Sequence, residues 1–324
     1  MKAPGFMQWL AQLPALNQSQ RLQVLCALQP AAGLAQVVDL IGHLRAKDRR
    51  CPRCNSPRWH RHGCANDLPR YRCRDCGRTY NDLSGTALAR LRLRGKWIAY
   101  LDTLLASRPV RGAADQVGVH RNTAFRWRHR FLHKVKDDKP QQLTGIVEAD
   151  ELFMLESQKG SRTLARPARK RGGVARKRGI SRELDCILVA RDRSGQTVDG
   201  VTGSGPLTAE QAERHLLPVL DPQALLVTDS NAAYRAFARK HRIAHQAVNL
   251  RRGERVRAGV TGAIHVQNVN AYHRRWREWI ARFHGVASRY LPNYLGWRRA
   301  LDGARVTSSD QLLGLAIKPF HSQR

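Results

Sequence analysis

Acidic residues are scarce in this chain, and their shortage is the most unusual feature of its composition. The 324 residues include 25 Asp and Glu against 57 Lys and Arg, which gives a formal net charge of +32 and a pI near 11.3. Such an imbalance favours a polyanionic partner, with nucleic acid as the first choice and an acidic membrane surface as the alternative. A hydrophobic content of 42% supports a real core and excludes a disordered polycation.

The chain also lacks long apolar runs, since none approaches the ~18 residues of a membrane-spanning helix. The N-terminus has only Lys2 before an apolar stretch that Gln12 and Asn17 soon break, which argues against a secretory signal. Four of the seven cysteines lie in two CxxC pairs, a usage that indicates metal binding in a reducing compartment rather than disulfides. We therefore expect a cytoplasmic, nucleoid-associated protein with no membrane partner.

The CxxC pairs have the spacing of a zinc ribbon. The four cysteines are Cys51, Cys54, Cys73 and Cys76. Each CxxC turn offers two sulfurs to one ion, so together they predict a closed tetrahedral zinc site that stabilises a small domain. A redox CxxC or unliganded thiols are the alternatives. Because the four cysteines complete the coordination, His60, His62 and Cys64, which lie between the pairs, are expected in a loop or facing DNA.

A helix-turn-helix is predicted within residues 96–133. Gly118 supplies its turn, and Ala124, Trp127 and Phe131 form an inward apolar stripe at helical spacing. The second helix then points four polar side chains outward, where they would contact a DNA major groove. These are Arg121, Asn122, Arg126 and Arg130. A plain helical hairpin with a solvated basic face is the alternative.

Two predicted strands carry the scarce acids. The first, at residues 145–154, holds Glu148, Asp150 and Glu151, and strand alternation puts Glu148 and Asp150 on one face and Glu151 on the other. The second ends in Asp229 and precedes a helix. Two strands that each present an aspartate are what a divalent-metal phosphoryl-transfer site needs, whereas a solvated edge strand would need neither.

A basic segment follows the first acidic strand. Ten of residues 159–182 are Lys or Arg, and no apolar period survives there, so we expect a long flexible loop. Such loops are uncommon unless they are functional or disordered. Lys170, Arg171 and Lys177 are the candidate DNA contacts, with a solvated charge run as the alternative.

The remaining elements indicate an α/β fold with a mixed sheet. A β-hairpin is expected over residues 186–202, a helix from Thr208 to about Leu220, a helix at 232–241 and a short strand at 244–248. A long final helix begins near Val269. Its residues Asn270, His273 and Arg277 share one side, which would close a phosphate–metal site or lie on DNA as a basic surface.

Taken in order, these motifs resemble bacterial insertion-sequence transposases with an N-terminal zinc ribbon, a helix-turn-helix and an RNase H-like DDE catalytic domain. The resemblance covers nearly the whole chain. It depends on the two CxxC pairs, on Val147–Glu151 and Val227–Ser230, and most specifically on residues 267–273 and 283–297.

The resemblance implies that Asp150 and Asp229 are the first two catalytic acids and bind Mg²⁺ or Mn²⁺, with two ions per site. The third position, Glu in most DDE enzymes, is Asn270 here, as in some members of this group. Arg277 stands where the family often has Lys, which keeps the charge but changes its geometry. The implied reaction is cleavage at the element's ends followed by transfer of the freed 3′-hydroxyls into target DNA.

The partners implied are double-stranded DNA, as terminal inverted repeats and as target, and a second copy of the chain when ends are bound. The expected division is a helical segment at 1–48 with a break at Pro30 and Gly33, a zinc ribbon at 49–84, a helix-turn-helix module at 85–139, an RNase H-like domain at 140–305 and a C-terminal tail at 306–324. An inactive DNA-binding regulator and a metal-dependent nuclease are the alternative functions.

Overall fold

The computed structural model describes residues 3–170, 172–249, 253, 255–259 and 262–319. The chain falls into two compact units, divided after Ala124 and again after Thr307, so that residues 125–307 form the second unit. The first division lies inside a helix, Arg121–Val135. The five-segment division expected from the sequence stays a prediction.

The first unit begins with helices α1 (Ala3–Gln12) and α2 (Gln18–Ala46). Asn17 starts α2 with a capping box, because its side chain accepts a hydrogen bond from the Gln20 backbone and Gln20 returns one. The break expected at Pro30 and Gly33 is wrong, since α2 is continuous. Gly33 is a point of close packing: a Cβ there would lie 2.5 Å from the Gly95 carbonyl oxygen, so only glycine fits.

Three antiparallel strands follow: β1 (Trp59–Ala65), β2 (Leu68–Cys73) and β3 (Thr79–Asn81). The first CxxC pair precedes β1 and the second lies at the connection from β2 to β3, which is the arrangement expected of a zinc ribbon. His60, His62 and Cys64 are exposed on β1, so their expected placement in a loop is wrong.

The next helices are α3 (Trp97–Leu105), α4 (Val110–Val117) and α5 (Arg121–Val135). Gly118 ends α4 with a φ of +64°, the left-handed conformation that the predicted turn requires. Ala124, Trp127 and Phe131 are all buried, as the predicted apolar stripe of the second helix demands.

The second unit contains a mixed five-stranded sheet, and the predicted α/β class with a mixed sheet is confirmed. The strand order β6-β5-β4-β7-β8 places the first acidic strand at the centre. The pairs β6–β5 and β5–β4 are antiparallel, whereas β7 and β8 run parallel to β4. The strands are β4 (Ile146–Leu155), β5 (Leu184–Asp192), β6 (Thr197–Ser204), β7 (Leu225–Thr228) and β8 (Ala244–Ala247).

Helices cover the sheet, and buried Leu226, Tyr234 and Phe237 belong to the core between the two layers. The helix capped by Thr208 ends at Leu216 instead of the expected Leu220, because the chain turns there to pair with Leu143. The helices are α6 (Ala209–Leu216), α7 (Ala232–His241), α8 (Gln267–Ala281) and α9 (Leu291–Asp302).

The segment expected as a C-terminal tail contains helix α10 (Ser309–Ala316) and belongs to the first unit. Across the described residues, every helix is too short or too polar to cross a membrane.

Candidate functional site

The four cysteines of the ribbon converge at one point. Their sulfur atoms all lie within 4.8 Å of one another, and the Cys51–Cys76 and Cys54–Cys73 Sγ pairs are each 3.6 Å apart. Hydrogen bonds from the backbone of Cys76 and Asp75 lower the pKa of the Cys73 thiol to about 6, so this sulfur is predisposed to the thiolate form that binds metal. The cluster can hold one tetrahedral zinc ion.

The ribbon has little core apart from these cysteines. Its buried cluster consists of Cys51, Cys73, Tyr71 and Tyr80, with Trp59 packed against it. A core this small cannot stabilise a domain alone, so the metal site has to contribute much of the folding free energy.

A second cluster, of oxygen ligands, lies on the central sheet. Carboxylate oxygens of Asp150, Glu151 and Asp229 lie within 4.8 Å of one another. Asp150 and Glu151 are on β4, and Asp229 follows the last residue of β7. The structure therefore brings together the two aspartates that the sequence singled out.

The position of Glu151 corrects the strand-alternation argument, which placed it away from Asp150. The last residue of β7, Thr228, pairs with Ala149, so β4 continues past the end of its neighbour. Asp229 therefore emerges beside both Asp150 and Glu151. The amide of Asn231 donates to Glu151 at 3.1 Å and holds its carboxylate near the aspartates.

Burial and mutual repulsion make these carboxylates hard to ionise. Burial, with the nearby charge of Asp229, raises the pKa of Asp150 to about 6 despite the nearby Arg277. Burial and the charges of Asp229 and Asp150 raise the pKa of Glu151 to about 7. Such a cluster stores unfavourable electrostatic energy that a divalent cation would relieve.

Helix α8 runs beside Asp150. The Nδ1 atom of buried His273 lies 3.6 Å from Asp150 Oδ2. Burial, then the charge of Arg277, lowers the pKa of His273 to about 4, so at neutral pH the ring is uncharged. Asn270 and Arg277 are exposed on the same side of α8, one turn before and one turn after His273.

The predicted DNA-binding residues of α5 are placed largely as expected. Arg121, Asn122 and Arg126 are exposed, whereas Arg130 is half-buried.

No helix or strand interrupts the described part of the basic segment between β4 and β5. Lys170 and Lys177 are exposed there, and Arg171 lies outside the described residues. Acids at both ends of the segment contact it: Glu156 pairs with Arg166 at 2.8 Å, and Glu183 accepts a hydrogen bond from the Arg176 backbone.

The sequence argument missed the contacts of three residues near the acid cluster. Glu151 adjoins Asp150 in sequence, and that adjacency was the available signal. The buried hydroxyl of Tyr234 on α7 faces Glu151 without a hydrogen bond of ordinary geometry to any described residue, and the sequence argument gave it no role. Glu148 was singled out only as an acid on the same face as Asp150; it is fully buried and bonds to the start of α8, 120 positions away in the chain, a partner that no local pattern indicated.

Comparisons with known proteins agree with this architecture. Residues 142–298 match the family model of the ISXO2-like transposase domain. A curated relative, an uncharacterized protein in transposable element ISH50 of Halobacterium salinarum, is 29% identical over 249 residues, which cover 76% of this chain and 82% of the relative.

Solved structures with detectable similarity include two of the Mos1 transposase. The pre-cleavage transpososome is 13% identical and covers 63% of this chain and 78% of that one, with a TM-score of 0.20. The strand transfer complex is 14% identical and covers 69% and 78%, with a TM-score of 0.19. At these TM-scores the likeness carries no argument. Residues 142–298 are similar to the ISXO2-like transposase domain, and the resemblance of the chain to insertion-sequence transposases is confirmed.

Proposed function

We propose that this chain is a DNA transposase that cuts at the ends of its own element and joins the freed 3′-hydroxyls to target DNA, through divalent-metal phosphoryl transfer. The observation that carries the proposal is the carboxylate cluster inside the transposase domain. In a chain with 25 acids against 57 basic residues, three carboxylates meet within 4.8 Å where β7 ends beside the middle of β4.

The donor atoms suit Mg²⁺ or Mn²⁺. Hard divalent ions prefer carboxylate oxygens, and each of the three residues offers one within reach of a shared position. The raised pKa values of Asp150 and Glu151 point the same way, because a positive charge is what the cluster lacks. Two bound divalent cations would activate the attacking water or hydroxyl and stabilise the leaving oxygen.

The protein's own side chains would position the cations and neutralise the charge of the DNA phosphate. Asp150, Glu151 and Asp229 hold the cations, and exposed Arg277 offers a guanidinium for the DNA phosphate beside Asp150. Asn270 contributes an amide oxygen without charge. Neutral His273 separates Asn270 from Arg277 and excludes water from one side of Asp150.

The basic surfaces would hold the DNA. Exposed Arg121, Asn122 and Arg126 on α5 suit the terminal inverted repeats, together with Arg130 and the zinc-bound ribbon. Lys170 and Lys177 of the basic segment suit a phosphate backbone near the cluster. Because two ends must be joined in one event, we propose that the chain works as a homo-oligomer on DNA, in the cytoplasm and at the nucleoid.

The direct test is cleavage and strand transfer on DNA that carries the element's ends, with Mg²⁺ or Mn²⁺. We expect Asp229→Ala to lower both rates by about a thousandfold, because a charged ligand is lost where charge develops. Asp221→Ala is the matched control: Asp221 lies four residues before β7, outside the acid cluster, and its carboxylate accepts a hydrogen bond from the Gln223 backbone.

The other outcomes separate the alternatives. Cleavage without joined products would favour a nuclease. Tight binding of the ends with no chemistry in the wild-type protein would favour a regulator and would make Asn270 the first residue to restore to Glu.

A further inference from the structure

Glu148 is the most completely satisfied buried carboxylate near the acid cluster. Its side chain has no exposed surface, and it does not belong to the group of possible metal ligands that Asp150, Glu151 and Asp229 form. One oxygen accepts hydrogen bonds from the backbone N–H groups of Asn268 and Val269, at 2.7 and 3.0 Å. These N–H groups belong to the first turn of α8, where backbone donors lack partners within the helix.

The second oxygen of Glu148 is equally engaged. It accepts a hydrogen bond from the Asn268 side chain at 2.8 Å and pairs with the Arg193 guanidinium at 2.9 Å. Arg193 also donates to the Ala263 carbonyl at 2.8 Å, so it fastens the segment leading into α8. Arg193 and the positive end of the helix together compensate a charge that could not otherwise be buried.

These contacts set how α8 lies along β4. Glu148 and Asp150 share one face of the strand, about 6.6 Å apart along it. Glu148 contacts Val269 and Asp150 contacts His273, and these two helix residues are one turn, or about 6 Å, apart along α8. Strand and helix therefore touch at two matched points, and Asn270 lies between them.

We propose that Glu148 is a positioning residue for the transposase reaction: by anchoring the first turn of α8 to β4, it fixes where Asn270 stands relative to Asp150. The inference rests on the proposed function of the acid cluster. It assigns Glu148 no contact with metal or DNA.

Glu148→Gln isolates this role because it keeps the side-chain shape. One oxygen faces the backbone N–H groups of Asn268 and Val269, and the other faces the Asn268 amide, the Arg193 guanidinium and His265 Nδ1 at 3.3 Å. Glutamine in either orientation therefore replaces a charged acceptor of these hydrogen bonds with a neutral amide. Asp192→Asn is the matched control: this buried carboxylate on β5 accepts backbone hydrogen bonds from Gln196 and Thr144 and none from α8.

Amide hydrogen exchange tests the anchor without any activity. We expect exchange at Asn268 and Val269 to rise at least about tenfold in Glu148→Gln, because one lost hydrogen bond to a charged acceptor is worth that much. In Asp192→Asn the rise should appear at Gln196 instead. Unchanged exchange at Asn268 and Val269 overturns the anchor.

A double-mutant cycle on single-turnover end cleavage tests the positioning. We expect Glu148→Gln to slow the reaction by about a hundredfold at saturating DNA and metal, as a misplacement of about 1 Å would. Once Asn270→Ala has removed the positioned amide, Glu148→Gln should cost little more, so the two effects do not multiply. The rate reductions caused by Asp192→Asn and Asn270→Ala should multiply in the double variant.

The outcomes distinguish the two proposals. Multiplying effects of Glu148→Gln and Asn270→Ala reduce Glu148 to a stabilising residue and overturn the inference. A wild-type protein that cuts no ends overturns the proposed function, and the exchange rates then decide the anchor alone.

Discussion

The sulfur cluster of the ribbon and the carboxylate cluster of the sheet are suited to bind metal ions in opposite ways. The cysteines lie within 26 consecutive positions, Cys51–Cys76, and form much of their domain's own core. The carboxylates come from strands that are distant in sequence, and they are held by a core that forms without them. The ribbon therefore needs its metal to fold, whereas the sheet needs its fold to bind metal.

The largest effect that would test this contrast is loss of the ribbon's metal. We expect Cys73→Ser, or strong chelation, to unfold residues 51–81, because structural zinc supplies about 10–16 kcal/mol of apparent binding free energy. Zinc content and amide NMR signals of the ribbon are the measurements. Cys64→Ser, an exposed thiol outside the cluster, should keep both. A folded, zinc-free ribbon would contradict the contrast.

The next effect is the response of the metal-free sheet to pH. The pKa values of Asp150 and Glu151 are raised from 3.8 and 4.5 to about 6 and about 7, so the folded state binds protons more tightly than the unfolded chain. Their contribution to stability is therefore complete below about pH 4 and is lost as the pH rises through 6 and 7, by roughly 3 kcal/mol for each group.

Urea unfolding of wild type and Glu151→Gln at pH 5 and pH 8 measures that loss. The variant should become the more stable of the two at pH 8, because it removes a carboxylate that ionises at a cost. Glu278→Gln changes an exposed acid on α8 that pairs with Arg274, and it should leave the pH response unchanged. If the free energies of unfolding of Glu151→Gln and wild type depended on pH in the same way, electrostatic repulsion between Glu151 and the two aspartates would be refuted.

A smaller effect is expected from adding metal to the sheet. Mn²⁺ at a hundred times its dissociation constant should stabilise the second unit by about 2.7 kcal/mol. The ion should bind more tightly at pH 8 than at pH 5, because the carboxylates are ionised at the higher pH. Calorimetry and thermal unfolding give both quantities. Asp229→Asn should abolish the stabilisation, and if it does not, the ion binds elsewhere.

The smallest effect concerns Tyr234. Its buried hydroxyl faces Glu151 and favours the ionised form of that carboxylate. Tyr234→Phe should raise the pKa of Glu151 further and change the free energy of unfolding by only about 1 kcal/mol. NMR titration of the Glu151 carboxyl group measures the shift. A downward shift would mean that the hydroxyl does not support the ionised form.

The same contrast explains what the sequence could and could not predict. The zinc ligands were found because two tight turns place them, and Gly118 and the stripe from Ala124 to Phe131 were found because helical geometry is local. Asp229 was found because it ends an apolar run. Glu151 was assigned to the wrong side because the sequence of β4 does not show where the neighbouring strand ends. β7 ends opposite Ala149, and Asp229 therefore lies beside both Asp150 and Glu151. Strand alternation placed Glu148 beside Asp150, but its bonds to Asn268 and Val269 join positions too distant in sequence to be predicted.

The pairing of Leu155 with Leu184 has a consequence for how such proteins diversify. These two residues are direct partners on β4 and β5, so the whole basic segment is an insertion into what would otherwise be a tight hairpin. The entropy of closing a loop grows only slowly with its length. The segment can therefore lengthen, shorten or change its charge over generations while the strands that carry the carboxylates keep their register, so any change in what the segment contacts leaves the carboxylate cluster in place.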